Sequence, residues 1–190
     1  QFGLKLGVVT NTQDITGQVV EQTPFTGSAE DLLSVLPRFR GDIRQVPPMY
    51  SAIKINGQKL YDLARKGREV ERAPRPVTIH ALELEDQLGP DEFLLRVRCS
   101  KGTYVRTLCH DIGAALGCGG CMSSLRRTMA AGFTLADSVT LDAVLQADDP
   151  AALLLPVDAY FSGYPDLVAD PEQEKRIRNG AALPMPGLPD

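Results

Sequence analysis

Hydrophobic positions along the chain follow two periods, one typical of strands and one typical of a helix. Apolar and polar residues alternate over residues 2–10, 77–85 and 92–99, which predicts strands with one buried face. From residue 105 the apolar side chains instead recur three and four positions apart, at 105, 108, 109, 112, 115 and 116. This spacing places them on one side of a helix, so we predict an amphipathic helix that begins near residue 105.

Turn and capping residues predict the shorter elements. Asn56-Gly57 lies between short apolar alternations, a pattern typical of a two-residue β-hairpin turn. Ser28 can cap a helix over residues 29–36, and Thr140 can cap one over residues 141–145. A polar turn joins the first strand to a second one at residues 17–22. Hairpins dominate and no βαβ spacing recurs, which favours a mostly antiparallel sheet.

Charge is distributed unevenly, although the net charge is only −4. Residues 38–76 hold ten lysines and arginines against four acidic residues, and residues 101–127 hold four against one. The remaining segments are acidic. Two basic regions on an acidic body suit a phosphate backbone that contacts one face of the protein. Two solvated charged faces would give the same pattern.

Composition excludes several functional classes. Hydrophobic residues make up 43% of the 190 residues, and no apolar run reaches membrane-spanning length, so we expect a soluble globular protein without a membrane partner. The chain starts at Gln1 in mid-pattern, which suggests a fragment. All four cysteines lie within residues 99–121. Cys118 and Cys121 have the spacing of a zinc pair but lack two further ligands nearby, so we expect reduced thiols and no metal.

One strand-to-helix junction concentrates polar chemistry. Lys101, Tyr104 and Arg106 lie within six positions, between the strand at 92–99 and the helix from 105. Backbone donors and side chains can converge on an anionic ligand at such a junction. A capped helix start with surface charges would have a similar local sequence.

Four stretches together resemble the bacterial TruB-type tRNA pseudouridine synthases, which modify the T-loop uridine, uridine-55. The stretches are residues 45–54 (QVPPMYSAIK), 60–67 (LYDLARKG), 99–108 (CSKGTYVRTL) and 125–128 (LRRT). The resemblance runs from Gly3 to about Leu183 and keeps the family's order. It implies an α+β fold, a mixed and mostly antiparallel sheet with packed helices.

The resemblance also implies roles at the junction. It places Tyr104 beside a flipped uracil and pairs Arg106 with the family's catalytic aspartate. Leu125 resembles the apolar residue that packs on the base, although an ordinary core leucine is the alternative. Asp14 matches an acidic position of the family's Thr-x-Thr-x-Asp turn, and a plain turn residue is the competing interpretation. The chemistry implies no metal and no other cofactor.

The basic regions correspond to the family's RNA contacts. The segment at about 42–76 resembles an insertion that clamps the RNA stem-loop. Residues implied to contact RNA are Tyr50, Lys54, Lys59, Arg65, Lys66, Arg68, Lys101, Arg126 and Arg127. Core packing is the alternative for Tyr50 and Tyr61, and bracing of the sheet is the alternative for Lys101, Arg126 and Arg127.

The chain departs from the family pattern at several points. The family's Gly-x-Leu-Asp-Pro motif, which carries the nucleophilic aspartate, has no match here, so we nominate no nucleophile and expect this chain alone to be inactive. Cys121 stands where a histidine is common, and Met129-Ala130-Ala131 replaces the family's more usual run of a basic residue, serine and glycine. We expect a synthase core at 1–155, a linker at 156–165, and the start of a PUA-like RNA-binding domain at 166–190.

Three functional hypotheses follow. The first is a cytoplasmic, monomeric pseudouridine synthase that acts on the T stem-loop of tRNA. The second is a non-catalytic module that binds or chaperones stem-loop RNA. The third is a thiol or zinc protein that uses Cys118 and Cys121. The four family matches favour the first hypothesis.

Overall fold

The computed structural model describes residues 1–165 and 168–182 of the chain. These residues fall into two compact units that divide between Thr128 and Met129. No helix in the described part is both long and apolar enough to span a bilayer. Residues 166, 167 and 183–190, which belong to the expected PUA-like domain, lie outside the described residues.

The first unit combines nine strands with three α-helices, and all of its residues are described. The strands are β1 (Phe2–Leu6), β2 (Val8–Thr10), β3 (Val19–Gln22), β4 (Gly41–Gln45), β5 (Lys54–Ile55), β6 (Gln58–Lys59), β7 (Arg75–Gly89), β8 (Glu92–Cys99) and β9 (Gly120–Leu125). The helices are α1 (Ala29–Val35), α2 (Leu60–Arg65) and α3 (Val105–Ala115).

Five of these strands form the central sheet in the order β4-β7-β8-β1-β9. Every neighbouring pair in this sheet is antiparallel. The strands predicted at 77–85 and 92–99 are confirmed as β7 and β8, which pair with each other. The α+β fold class and the amphipathic helix from residue 105 are confirmed as well.

Two sequence-based expectations differ from the structure. The single strand predicted over residues 2–10 is wrong, because the chain turns at Gly7, whose φ of 81° favours glycine. As a result β1 joins the central sheet, whereas β2 pairs with β3. Strand β4 was not predicted, since Gly41–Gln45 lacks apolar alternation; pairing with β7 supplies its structure instead.

The main core lies between the sheet and α3. Phe2, Leu4 and Leu6 alternate along β1 with no exposed surface, as the strand period requires. Leu108 and Ile112 of α3 are equally buried in the same cluster. Full burial of each such side chain stabilises the fold by about 1.5–3 kcal/mol, so this contact fixes the position of α3.

A close backbone approach holds the end of α3 against the start of β9. A Cβ atom on Gly113 would lie 2.2 Å from both the Gly119 carbonyl carbon and the Gly120 nitrogen. We therefore expect Gly113→Ala to lower the free energy of unfolding by about 3 kcal/mol, because overpacking against backbone outweighs the gain of about 1 kcal/mol in helix propensity. Urea denaturation followed by circular dichroism measures this difference.

Gly89→Ala is the matched control for that substitution. The nearest atom to a Cβ at Gly89 is the Glu92 Cβ at 3.9 Å, an ordinary contact. We expect this control to change the unfolding free energy by less than about 0.5 kcal/mol. Equal effects of the two substitutions would contradict the close approach at Gly113.

The segment at 42–76, expected to be an insertion and called the insertion below, carries a small core of its own. Asn56 and Gly57 both have positive φ angles, 51° and 78°, and close the predicted β5–β6 hairpin. Met49, Leu60 and Leu63 form a buried cluster that is separate from the main core. The insertion therefore presents its charged residues from a locally packed support.

The second unit contains short elements. They are β10 (Met129–Ala130), β11 (Phe133–Thr134), α4 (Leu141–Gln146) and α5 (Pro171–Arg178). The predicted cap of α4 is confirmed, since the Thr140 hydroxyl accepts a hydrogen bond from the Ala143 N–H at 3.1 Å. A 3-10 helix, Val157–Phe161, lies in the segment expected to be a linker, and its Tyr160 stacks on Phe133.

Candidate functional site

Tyr104 occupies the N-cap position of α3, directly after the loop that follows β8. The side-chain amide of Gln45, at the end of β4, binds both backbone groups of Tyr104. Its Oε1 accepts a hydrogen bond from the Tyr104 N–H at 3.0 Å, and its Nε2 donates to the Tyr104 carbonyl at 3.3 Å. Gln45 is only 1% exposed, so this contact is shielded from water.

Arg106 lies in the first turn of α3 and is half-buried. Its Nη2 donates a hydrogen bond to the Tyr50 carbonyl at 2.8 Å, which ties the start of the insertion to α3. Among the described residues no carboxylate forms a salt bridge with Arg106. A guanidinium has five N–H donors and keeps its charge, so this group can still bind a carboxylate.

The turn at residues 11–16 forms hydrogen bonds with both α3 and β9. The Gln13 side-chain oxygen accepts a hydrogen bond from the Thr107 hydroxyl at 2.9 Å. Gln13 and Ile15 also exchange backbone hydrogen bonds with Met122, which places Asp14 beside β9. The turn and α3 are therefore joined at Thr107, one residue after Arg106.

The Asp14 carboxylate is engaged within its own turn. Its Oδ1 accepts hydrogen bonds from the Thr16 N–H at 3.0 Å and the Thr16 hydroxyl at 2.7 Å. This geometry is that of an Asx turn, as the interpretation of Asp14 as a turn residue requires. A contact between Asp14 and a base stays a prediction.

Leu125 ends β9 and is 56% exposed. The interpretation of Leu125 as an ordinary core leucine is therefore wrong. An apolar side chain at this exposure is available to pack on a ligand, and the contact with a base stays a prediction. Arg126 and Arg127 follow it with exposed side chains, and the Arg126 backbone pairs with Gln1.

Two cations surround one aromatic ring of the insertion. The Lys59 ammonium donates to the Tyr61 hydroxyl at 2.8 Å and lies 5.2 Å from the ring centroid. The Arg65 guanidinium carbon lies 5.3 Å from the same centroid. The hydrogen bond with Tyr61 raises the pKa of Lys59. The ring thus holds two positive charges close together, an arrangement that suits a phosphate group.

The other residues expected to contact RNA are distributed over the insertion and the junction. Lys54, Arg65, Lys66 and Arg68 are exposed, and so is Lys101 in the loop before α3. Tyr50 is half-buried and packs on the cluster of Met49, Leu60 and Leu63, as the core-packing alternative requires.

Sequence reasoning missed the two glutamines that hold the start of α3. Gln45 lies 59 positions before Tyr104, and Gln13 lies 94 positions before Thr107. In the sequence, Gln45 begins one of the four family stretches and lies two residues before a pair of prolines, and neither feature predicts its side-chain contact with Tyr104.

The cysteines are free, and those of α3 and β9 are deeply buried. Burial raises the pKa of Cys121 to about 11 and that of Cys109 well above its usual value. No group of three or more histidines, cysteines or carboxylates suited to a metal occurs within residues 1–165 and 168–182.

These pKa shifts predict slow alkylation of the native protein. At pH 8 a thiol with a pKa near 11 is about one-thousandth thiolate, and only the thiolate reacts with iodoacetamide. We expect Cys109 and Cys121 to stay unmodified while half-buried Cys99 is labelled, and reaction at Cys121 to increase as the pH rises toward 11. Peptide mass spectrometry measures labelling, with guanidinium-unfolded protein as control. Equal labelling of Cys99, Cys109 and Cys121 in the native protein would contradict the burial of Cys109 and Cys121.

Comparisons with known proteins identify the family. The model of the "TruB family pseudouridylate synthase (N terminal domain)" matches residues 1–105, more than half of the chain. The chain belongs to the TruB family. The model of the "tRNA pseudouridylate synthase B C-terminal domain" matches residues 106–162. The resemblance drawn from the four sequence stretches is thus confirmed.

Curated relatives extend the match over nearly the whole chain. It is similar to the tRNA pseudouridine synthase B of Azoarcus sp. (strain BH72), with 50% identity over 98% of this chain and 62% of the relative. The enzyme of the same name from Dechloromonas aromatica (strain RCB) is 46% identical over 96% of this chain and 62% of its own length. The chain therefore spans about 62% of these relatives.

A solved structure supports the fold. The chain is similar to a chain of a crystal structure of a Cbf5-Nop10-Gar1 complex, with a TM-score of 0.54 and 27% identity. The match covers 76% of this chain and 33% of that chain.

Proposed function

We propose that this chain is part of a tRNA pseudouridine synthase that isomerises the T-loop uridine. Its membership of the TruB family supports the reaction class. The observation that carries the proposal is the half-buried Arg106, which is bonded to the Tyr50 carbonyl of the basic insertion. This hydrogen bond joins the residue expected in the active site to the segment expected to bind RNA.

The proposed reaction begins with removal of the uridine from its stack. A base inside the loop hides its glycosidic bond, so the enzyme has to flip the nucleotide into a pocket. Tyr104 and the exposed Leu125 are the side chains assigned to the base. The basic residues of the insertion and Lys101 hold phosphates, which fixes the loop but carries no sequence information.

The chemical step rearranges bonds without a net change of atoms. A carboxylate attacks or assists at the sugar or base, and the bond between C1′ and N1 of the uracil breaks. The base then turns, a bond from C1′ to C5 forms, C5 loses its proton and N1 gains one. Arg106 holds the carboxylate ionised and oriented, because a guanidinium cannot lose its proton near neutral pH. We assign no aspartate of this chain as the nucleophile.

Tritium release from tRNA labelled at C5 of uridine tests the proposal. We expect the full-length protein to be a cytoplasmic monomer. Once purified, it should release tritium from a transcript that contains the T stem-loop. RNA binding without release would overturn the enzymatic proposal in favour of a non-catalytic stem-loop-binding module. A transcript with cytidine at the target position is the matched control, and we expect no release from it.

A further inference from the structure

Gln45 makes a two-point contact with the backbone of Tyr104. The amide of glutamine carries one acceptor and one donor group on the same carbon, and the residue at the N-cap offers the complementary pair. The orientation of the amide is fixed, because rotating it would set its NH₂ group against the Tyr104 N–H. A two-point contact determines both the position and the tilt of the peptide.

The contact is buried and shared with the helix. The Tyr104 carbonyl also accepts the first helical hydrogen bond, from the Leu108 N–H at 3.0 Å. Among the described contacts, the Tyr104 N–H has Gln45 as its partner. An unpaired buried N–H is costly, so the backbone shifts if this partner is lost.

Gln45 belongs to a rigid support. It is the last residue of β4 and pairs with Arg75 of β7. Buried Pro47 and Pro48 follow, and Tyr50 at the end of the same short segment accepts the hydrogen bond from Arg106. One segment of six residues therefore holds Tyr104 at its start and Arg106 at its end.

We propose that Gln45 is a positioning residue, which acts through the Tyr104 backbone to place the side chains of Tyr104 and Arg106 for the isomerisation. This inference rests on the proposed function. Gln45 itself does not touch the substrate. A displacement of about 1 Å at a reacting group lowers rates on the order of 100-fold, so a clamp at this point affects the chemical step more than RNA binding.

Gln45→Glu provides a test, because a change of pH switches its side chain between a form that makes both contacts and a form that does not. The protonated glutamic acid reproduces both contacts, because its O–H donates to the Tyr104 carbonyl. The carboxylate cannot donate, and it faces the carbonyl oxygen. Burial raises the pKa of such a group, so the variant changes state near neutral pH. We expect its single-turnover rate, relative to the wild-type rate, to rise about tenfold as the pH falls from about 8.5 to about 6.

Gln45→Met is the matched control, since it keeps the side-chain length and removes both polar atoms. We expect the full-length Met variant to be slower about 10- to 100-fold at every pH, with RNA affinity within about threefold of the wild type. A rate ratio for Gln45→Glu that does not change with pH overturns the positioning role. A Met variant that loses RNA affinity instead of rate overturns it too.

A readout in the free protein separates the inference from the proposed function. We expect the Tyr104 amide resonance in the nuclear magnetic resonance spectrum of Gln45→Glu to titrate over the same pH range, and that of the wild type to stay constant. An amide that does not titrate overturns the clamp. A wild-type protein that shows no isomerisation while the amide of Gln45→Glu titrates overturns the proposed function and leaves the geometry of the clamp supported.

Discussion

Replacing Arg106 by alanine in the full-length protein is expected to lower the single-turnover rate of isomerisation on the order of 1000-fold. The reason is electrostatic. Arg106 is half-buried and bonded to the Tyr50 carbonyl, so its charge is held at one place. A carboxylate beside it loses both its orientation and the charge that keeps it ionised. Affinity for the T stem-loop, measured by filter binding, should stay within about threefold of the wild type.

Arg106→Lys is the control that separates the effect of the positive charge from that of the guanidinium's hydrogen-bonding geometry. Lysine keeps the positive charge but cannot donate two parallel hydrogen bonds to a carboxylate. We expect a rate between those of the wild type and the alanine variant, about 100-fold below the wild type. Equal rates for the lysine variant and the wild type would show that charge alone suffices. An alanine variant with an unchanged rate would refute the role of Arg106.

Reversing two charges of the insertion is expected to weaken RNA binding strongly. Lys54 and Arg65 are exposed, and neither forms a salt bridge among the described residues. The double variant Lys54→Glu, Arg65→Glu should bind the T stem-loop about 100-fold more weakly at low salt. The slope of log affinity against log salt concentration should also fall by about 1.5, since each lost phosphate contact removes about 0.7–0.9.

Arg98→Glu is the control for the double variant. Arg98 is exposed and basic, but it lies outside both basic regions and outside the residues assigned to RNA. We expect this control to change affinity less than about threefold and to leave the salt slope unaltered within error. Equal losses in the control and the double variant would show that net charge matters and that the insertion has no specific role.

Local sequence signals predicted the elements that depend on local chemistry. The Asn56-Gly57 turn, the capping box at Ser28 and the apolar face of α3 each result from a few neighbouring residues. Strand β4 has no such signal, because its structure comes from pairing with β7, whose partner residues lie 30 to 38 positions later in the chain. The break at Gly7 was missed because the apolar pattern continues on both sides of it.

The residues of the candidate site also differ in whether local sequence could identify them. Tyr104 and Arg106 could be named in advance because they belong to a contiguous motif at one junction. Gln45 could not be named, because its contact joins residues 59 positions apart. For Leu125 the sequence left open whether it packs on a base or in the core, and its exposure of 56% excludes the core. Residues that act through distant backbone groups leave little trace in a single sequence.

Mapping the modified position tests the central claim most directly, namely that this protein isomerises the T-loop uridine. Unmodified tRNA is incubated with the full-length protein, and pseudouridine is located by carbodiimide adduct formation followed by reverse transcription. The expected result is one stop, at the T-loop uridine, that disappears with the Arg106→Ala variant. Stops at other uridines with none in the T loop, or no stop at all, would contradict the claim.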